Sequence, residues 1–141
     1  MFTEIYPKFH QLYPNYQLRP IEMGVMEQLN ALSRFEIDLA FVTIDNDQRD
    51  DNNYITVGTE EMICAIHSIL KVSANLACAI IPKYYVNPNA ENISYYKLHG
   101  NPSWDMCFVY NKDGYLSDGM KAFIDLSKDY WDNSPHVQLP M

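Results

Sequence analysis

The run Ile37-Asp38-Leu39-Ala40-Phe41-Val42 has too many apolar and β-branched residues in succession for a half-exposed strand. Such a run reads as a strand buried on both faces, the signature of a parallel sheet between helices. Upstream of it, Met26, Leu29 and Leu32 recur at helical spacing behind a Met23-Gly24-Val25 turn, with Glu27 near the positive end of the helix dipole. Before that turn, Tyr16 to Ile21 reads as a short strand whose Pro20 suits a sheet edge or a strand end. Strand, helix and strand between Tyr16 and Val42 make one βαβ unit, right-handed by the crossover rule.

The flanking segments extend the alternation. Phe2, Ile5, Tyr6, Phe9 and Tyr13 fall at spacings of three and four, which predicts a helix from about Phe2 to Leu12 that Pro7 should kink or fray. Asn53 to Thr59 and Glu60 to Ile66 are two strand candidates. Val72 to Ala77 reads as a short helix, and Cys78 to Ile81 as a buried strand stopped by Pro82. Ile93 to Leu98 and Met106 to Tyr110 supply two more strands. Ser117 is placed to cap a closing helix through about Lys128, with Ala122, Phe123, Leu126 and Tyr130 inward. The expected class is α/β, an open and mostly parallel sheet flanked by helices.

Length and charge bound the function. A chain of 141 residues with 48% hydrophobic residues supports one packed core. Ten Lys and Arg against 18 Asp and Glu leave a net charge of -8, which repels a phosphate backbone unless basic residues are strongly segregated. Cys64, Cys78 and Cys107 are odd in number and each sits in an apolar run, as reduced thiols do in a cytoplasmic protein. No charged leader precedes an apolar stretch and no window approaches a membrane span, so the expected location is the cytoplasm. Asn92-Ile93-Ser94 fits a glycosylation acceptor, which has no use there.

Catalytic and metal motifs are weak. The aspartate-rich loop Asp45 to Asn53 fails as a calcium loop, because its sixth and twelfth positions would hold Asp50 and Thr56. Cys64-x-x-His67 is half of a zinc spacing with no second half. Glu60 and Glu61 are neighbours on one strand and face opposite ways, so they cannot converge on a substrate, and one of them is expected on the solvent side. No nucleophile elbow or nucleotide-binding glycine loop occurs, and no enzyme, cofactor or metal is expected. Gly24 at a strand-to-helix turn is the one place where fold logic suggests a ligand. A helix N-terminus beyond the carboxyl end of a strand offers backbone amides to anions, though an ordinary turn reads equally well.

Three segments read together resemble the effector-binding domain of LysR-type transcriptional regulators, whose fold is like that of periplasmic binding proteins. The first runs from Phe9-His10-Gln11-Leu12-Tyr13-Pro14-Asn15-Tyr16-Gln17-Leu18 through Ile21-Glu22 to Glu36-Ile37-Asp38-Leu39-Ala40-Phe41-Val42. The second is Val72-Ser73-Ala74-Asn75-Leu76-Ala77-Cys78-Ala79-Ile80-Ile81-Pro82. The third is Val109-Tyr110-Asn111-Lys112 with Leu116-Ser117 and Ala122-Phe123-Ile124-Asp125. Val25 stands where many members carry a Ser or Thr that caps the helix and touches the ligand, and Phe35, Asn75 and Ala77 replace common glycines.

The resemblance implies a small-molecule-sensing regulatory domain without catalysis, taking a small-molecule effector, with an anionic one suited to the backbone amides near Val25. Gly24, Val25, Met26, Val42, Thr43, His67, Ala79 and Ile80 are the candidate ligand-binding residues. It also implies DNA contact only through a winged helix-turn-helix, which this sequence does not carry, no membrane, and a homo-oligomer formed through a sheet edge or helix. Only three residues lie between Ser68 and Val72, where the family spends several tens on its second lobe. The expectation is an incomplete domain: residues 1–70 and 104–131 as the first α/β lobe, 71–103 as a remnant of the second, and 132–141 as a tail. A cleft with one wall removed encloses a ligand poorly, and exposed strand edges invite pairing. The alternatives are an interaction or dimerisation module without ligand, and a solute-binding protein of a transporter, which would need export.

Overall fold

The computed structural model describes residues 2–67 and 78–134. In chain order the main elements are α1 (Phe2–Leu12), α2 (Val25–Ser33), β1 (Ala40–Ile44), β2 (Asn53–His67), β3 (Ala79–Pro82), β4 (Ile93–Lys97), β5 (Ser103–Tyr110) and α3 (Asp118–Asn133). Two compact units emerge from the contacts. Unit one comprises residues 2–58 and 105–134; unit two comprises the described residues of 59–104. Both β2 and β5 supply residues to each.

Unit one is built on the antiparallel pairing of β1 with β5, where Phe41 lies opposite Phe108 and Val42 opposite Cys107. Strand alternation sends Ala40, Val42, Ile44, Cys107 and Val109 to one face, where they pack with Leu29 and Leu32 of α2. Phe41 and Phe108 project to the other. There they meet an aromatic cluster of Phe2 and Phe9 from α1 and Phe123 from α3, with ring centroids 5.0 to 6.3 Å apart for contacts such as Phe2–Phe41 and Phe2–Phe108. Helices therefore cover both faces, as the apolar run at Ile37–Val42 predicts. The strand itself starts later, at Ala40, and its second face is half-buried.

The sheet is antiparallel where a mostly parallel one was expected. Its order is β1-β5-β2-β3, with β4 also on β2. The parallel partner for β1 would have come from Tyr16–Ile21, but those residues form no strand and are largely exposed. Pro20 leaves that segment without one amide donor. The Phe41 amide of β1 instead takes the Gln28 side-chain oxygen at 3.2 Å. β2 and β5 are neighbours whose contacts run in opposite chain directions: Asn53 Nδ2 to the Asn111 carbonyl, Thr56 Oγ1 beside Cys107 Sγ, and the Met62 amide to the Pro102 carbonyl.

In unit two, β2 pairs antiparallel with β3, Ala65 opposite Ala79, and with β4, Cys64 opposite Tyr96. The two strands expected at Asn53–Thr59 and Glu60–Ile66 are one continuous strand. β3 includes Pro82 and is exposed to half-buried, where a buried strand ending before the proline was expected; among the described residues β2 alone pairs with it. Glu60 is buried and Glu61 half-buried with Lys83 3.7 Å away, so neither takes the solvent side expected of one of them. The helix expected at Val72–Ala77 lies outside the described residues.

α1 continues through Pro7, because the burial of Ile5 and Phe9 outweighs one missing helical hydrogen bond. α3 begins as expected, with Ser117 Oγ accepting from the Met120 amide at 3.1 Å, and runs on to Asn133. Its buried residues are Gly119, Phe123, Ile124 and Ser127, a stripe turned slightly from the expected one. Gly119 is where the Tyr16 ring lies against the helix, leaving no room for a side chain. Gly58 has the Trp131 indole over it in the same way.

α2 ends in a Schellman closure, with the Phe35 amide on the Leu32 carbonyl and the Glu36 amide on the Ala31 carbonyl. Phe35 sits at the left-handed position of that motif with φ 55°, which suits glycine, and its ring is exposed. Replacing Phe35 by Gly should stabilise the protein by about 0.5–1 kcal/mol, the relieved strain less the greater freedom of the unfolded chain. Thermal unfolding should then rise by about 2–4 °C. Gly58→Ala should cost about 2 kcal/mol by overlap with the indole. Denaturant titration should show that cost falling sharply in the Gly58→Ala/Trp131→Leu double variant.

Candidate functional site

The predicted ligand-binding residues fall into two groups. Gly24, Val25, Met26, Val42 and Thr43 belong to unit one, and His67, Ala79 and Ile80 to unit two.

In unit one, Gly24 is the N-cap of α2 in an extended conformation, φ -66° and ψ 161°, and no side chain caps the helix. Its carbonyl accepts the Gln28 amide at 2.9 Å, opening the first turn. The helix therefore starts with first-turn amides that no capping side chain has claimed, and with the positive end of its dipole. Around it, Ile21, Val25 and Met26 are exposed, Met26 at 69%. An uncapped helix end with an apolar rim suits a small anion carrying an apolar body.

Val42 and Thr43 do not join this group through their side chains. Val42 is fully buried in the core beneath α2. Thr43 lies opposite Met106 and alternates to the face covered by α1 and α3, away from α2. In unit two, His67 is the exposed last residue of β2, opposite Ile93 on β4. Ala79 and Ile80 open β3, and both are exposed rather than core.

Gln28 completes the α2 N-terminus and is absent from the predicted set. Its side-chain amide donates to the Met23 carbonyl at 3.0 Å while its oxygen accepts from Phe41. One side chain thus fixes the turn before Gly24 to the outer edge of β1. The signal was present in the sequence: Val25, Gln28, Leu29 and Leu32 share one helical face, and a polar residue on an inward face usually has a fixed partner.

A second polar cluster in unit one surrounds Arg49. Its Nη2 lies 2.8 Å from Asp105 Oδ2, 3.1 Å from Thr56 Oγ1 and 3.5 Å from Cys107 Sγ, and its guanidinium sits 5.1 Å from the Tyr54 ring centre. Burial pushes the Tyr54 hydroxyl up to about 12, with Asp50 accepting its proton at 2.9 Å. Burial also raises the Cys107 thiol, against smaller opposing effects of Thr56 and Arg49. A thiol kept protonated in this way is a poor nucleophile, so the cluster reads as a charged cover over the core edge. The aspartate-rich loop is structural as well. Asp45 and Gln48 form a reciprocal capping box around a short 3-10 turn, and Asp51 pairs with Lys112 at 2.9 Å. Among the described residues, no three His, Cys, Asp or Glu side chains are placed to hold a metal ion.

Removing the Gln28 side chain by Gln28→Ala should cost about 1–2 kcal/mol, two partly buried hydrogen bonds at once. Amide exchange at Phe41 should accelerate in that variant, whereas a general loss of packing would speed exchange across β5 equally.

No protein-family model matches the sequence, and no curated protein matches it. Solved structures do. The oxidized form of OxyR superposes with a TM-score of 0.74 at 12% identity, covering 94% of this chain and 90% of that one. The reduced regulatory domain of OxyR2 from Vibrio vulnificus gives 0.71 at 12% identity, over 91% and 88%. Full-length CbnR in complex with its target DNA gives 0.61 at 10% identity, over 91% of this chain and 62% of that one. Among the described residues no helix is long and apolar enough to cross a membrane. The α/β fold of this chain is that of the regulatory, effector-binding domains of LysR-type transcription regulators.

Proposed function

We propose that the chain is the small-molecule-sensing regulatory domain of a LysR-type transcription regulator, acting in the cytoplasm as part of an oligomer and reaching DNA only through a separate segment. The observation that carries this reading is the α2 N-terminus. It has no capping side chain, is tied to β1 by Gln28, and is rimmed by exposed Ile21, Val25 and Met26. A small carboxylate or similar anion would accept hydrogen bonds from the amides beyond Gly24 and gain from the helix dipole, while Val25 and Met26 contact its apolar part. Val42 contributes its place beneath the helix and no side-chain contact. His67, Ala79 and Ile80 are accessible polar and apolar groups suited to a ligand. The net charge of -8 agrees with nucleic-acid contact lying elsewhere. Nothing in the reading requires a catalytic residue or cofactor.

Calorimetric titration with a panel of small aliphatic and aromatic carboxylates tests the proposal. Binding of at least one member is expected, with a rise in the unfolding temperature. Val25→Glu should weaken that binding at least about tenfold, because it places a carboxylate where the ligand's would lie. The same substitution should leave the ligand-free protein as stable or slightly more so, since an acidic residue in the first turn favours the helix. No heat and no thermal shift across the panel would defeat the reading.

A further inference from the structure

We infer that Cys64 and Cys78 form a reversible disulfide when the protein meets a low-molecular-weight disulfide, which makes the β2–β3 junction of unit two a thiol-modification site. The inference rests on strand register and exposure and stands apart from the effector reading. Cys64 lies opposite Ile80 and Ala65 opposite Ala79, so Cys78, immediately before β3, precedes Ile80 by two positions on the same side of the sheet. Side chains in that relation are diagonal cross-strand neighbours. The two thiols are within hydrogen-bonding reach of each other, and neither is engaged in a disulfide.

Their exposures differ in the way a two-step exchange requires. Cys78 is exposed, while Cys64 is buried at 7% exposure between Ile80 and Tyr96, its cross-strand partners. A reagent in solution therefore reaches Cys78 first. The Cys78 thiolate attacks one sulfur of the small disulfide, the sulfur–sulfur bond breaks, and one small thiolate leaves with the electron pair. A mixed disulfide remains on Cys78. Cys64 then loses its proton to solvent and attacks the Cys78 sulfur, expelling the second small thiolate, which takes up a proton. Two protein thiols are oxidised and one small disulfide is reduced to two thiols. Burial pushes the Cys64 thiol up to about 11, with the neighbouring Cys78 adding to the rise. That makes Cys64 the slow, resolving partner. It also makes Cys64 a poor leaving group, and its burial shields it from attack, so small thiols should reverse the finished bond slowly.

The third cysteine serves as the internal control. Cys107 is fully buried in unit one, and its near neighbours are Thr56 and Arg49 rather than a thiol.

The test is incubation of the folded full chain with glutathione disulfide, followed by acid quenching, intact-mass measurement and peptide mapping. A transient single glutathione adduct on Cys78 is expected, converting to a product lighter by two hydrogens in which the peptides holding Cys64 and Cys78 are linked. Cys64→Ser should stop at the adduct, Cys107→Ser should behave as the wild type, and circular dichroism of each variant shows whether it is folded. Should Cys64→Ser fail to fold, the wild-type linkage map decides alone. A wild-type protein that keeps a stable adduct on Cys78 and never yields the Cys64–Cys78 linkage overturns the inference, as does linkage of either residue to Cys107.

Discussion

The pairing of β1 with β5 organises unit one. It joins residues far apart in the chain, Ala40 with Val109 and Val42 with Cys107, so its loop-closure cost must be offset by what the two strands bury together. Both faces contribute. On one, Leu29 and Leu32 of α2 close over Val42 and Cys107; on the other, Phe2, Phe9 and Phe123 close over Phe41 and Phe108. Without this strand pair α2 would be a nine-residue helix with little reason to persist in water.

What could be read from the sequence follows from which physical signals are local. The apolar stripes of α1 and α2 and the Ser117 cap depend on residues within a few positions of one another, and the helices start where those signals place them. Burial of the Ile37–Val42 run on two faces was legible because it needs only the absence of polar alternation. Strand direction was not, since a buried strand shows the same composition beside a parallel or an antiparallel neighbour. The partner of β1 lies at Ser103–Tyr110 and nothing in Ala40–Ile44 points there. The candidate site divides along the same line. Gly24 at the helix start came from local turn chemistry. The face that Thr43 takes depends on which side of β1 each helix covers, which no local signal in Ala40–Ile44 carries.

Polar residues inside unit one act as closures of edges rather than as chemical groups. Gln28 occupies the outward amide of β1, which blunts the open edge of the terminal strand. Asn111 does similar work from the opposite end of α2, its side-chain amide donating to the Leu32 carbonyl at 2.8 Å while it is itself buried. Arg49 closes the flank by holding Asp105, Thr56 and Cys107 together beneath Tyr54. A half-buried ion pair such as Arg49–Asp105 adds little net stability after desolvation, but losing one partner would leave the other charge uncompensated at the core edge. Its value therefore lies in fixing the register of β2 against β5.

Set together, these features make α2 a helix stabilised from its middle and unfavourable at both ends. Leu29 and Leu32 hold it to β1, whereas its N-terminus has no side-chain cap and its C-terminus forces Phe35 into a left-handed backbone. A glycine N-cap such as Gly24 forgoes roughly a few tenths of a kcal/mol relative to a good capping side chain. An anion settling on the amides beyond Gly24 would supply that missing interaction from outside the chain. Ligand binding and helix stability would then be linked, so that a bound anion would stabilise the formed α2 by as much as the formed helix strengthens the anion's binding. Gln28 would transmit such a coupling, because it bonds both to the turn that opens the helix and to the edge of the strand beneath it. If α2 does receive a ligand, no large movement is needed: a shift in how firmly Met23 and Gly24 are held against Phe41 would already reach the β1–β5 pair that carries the fold.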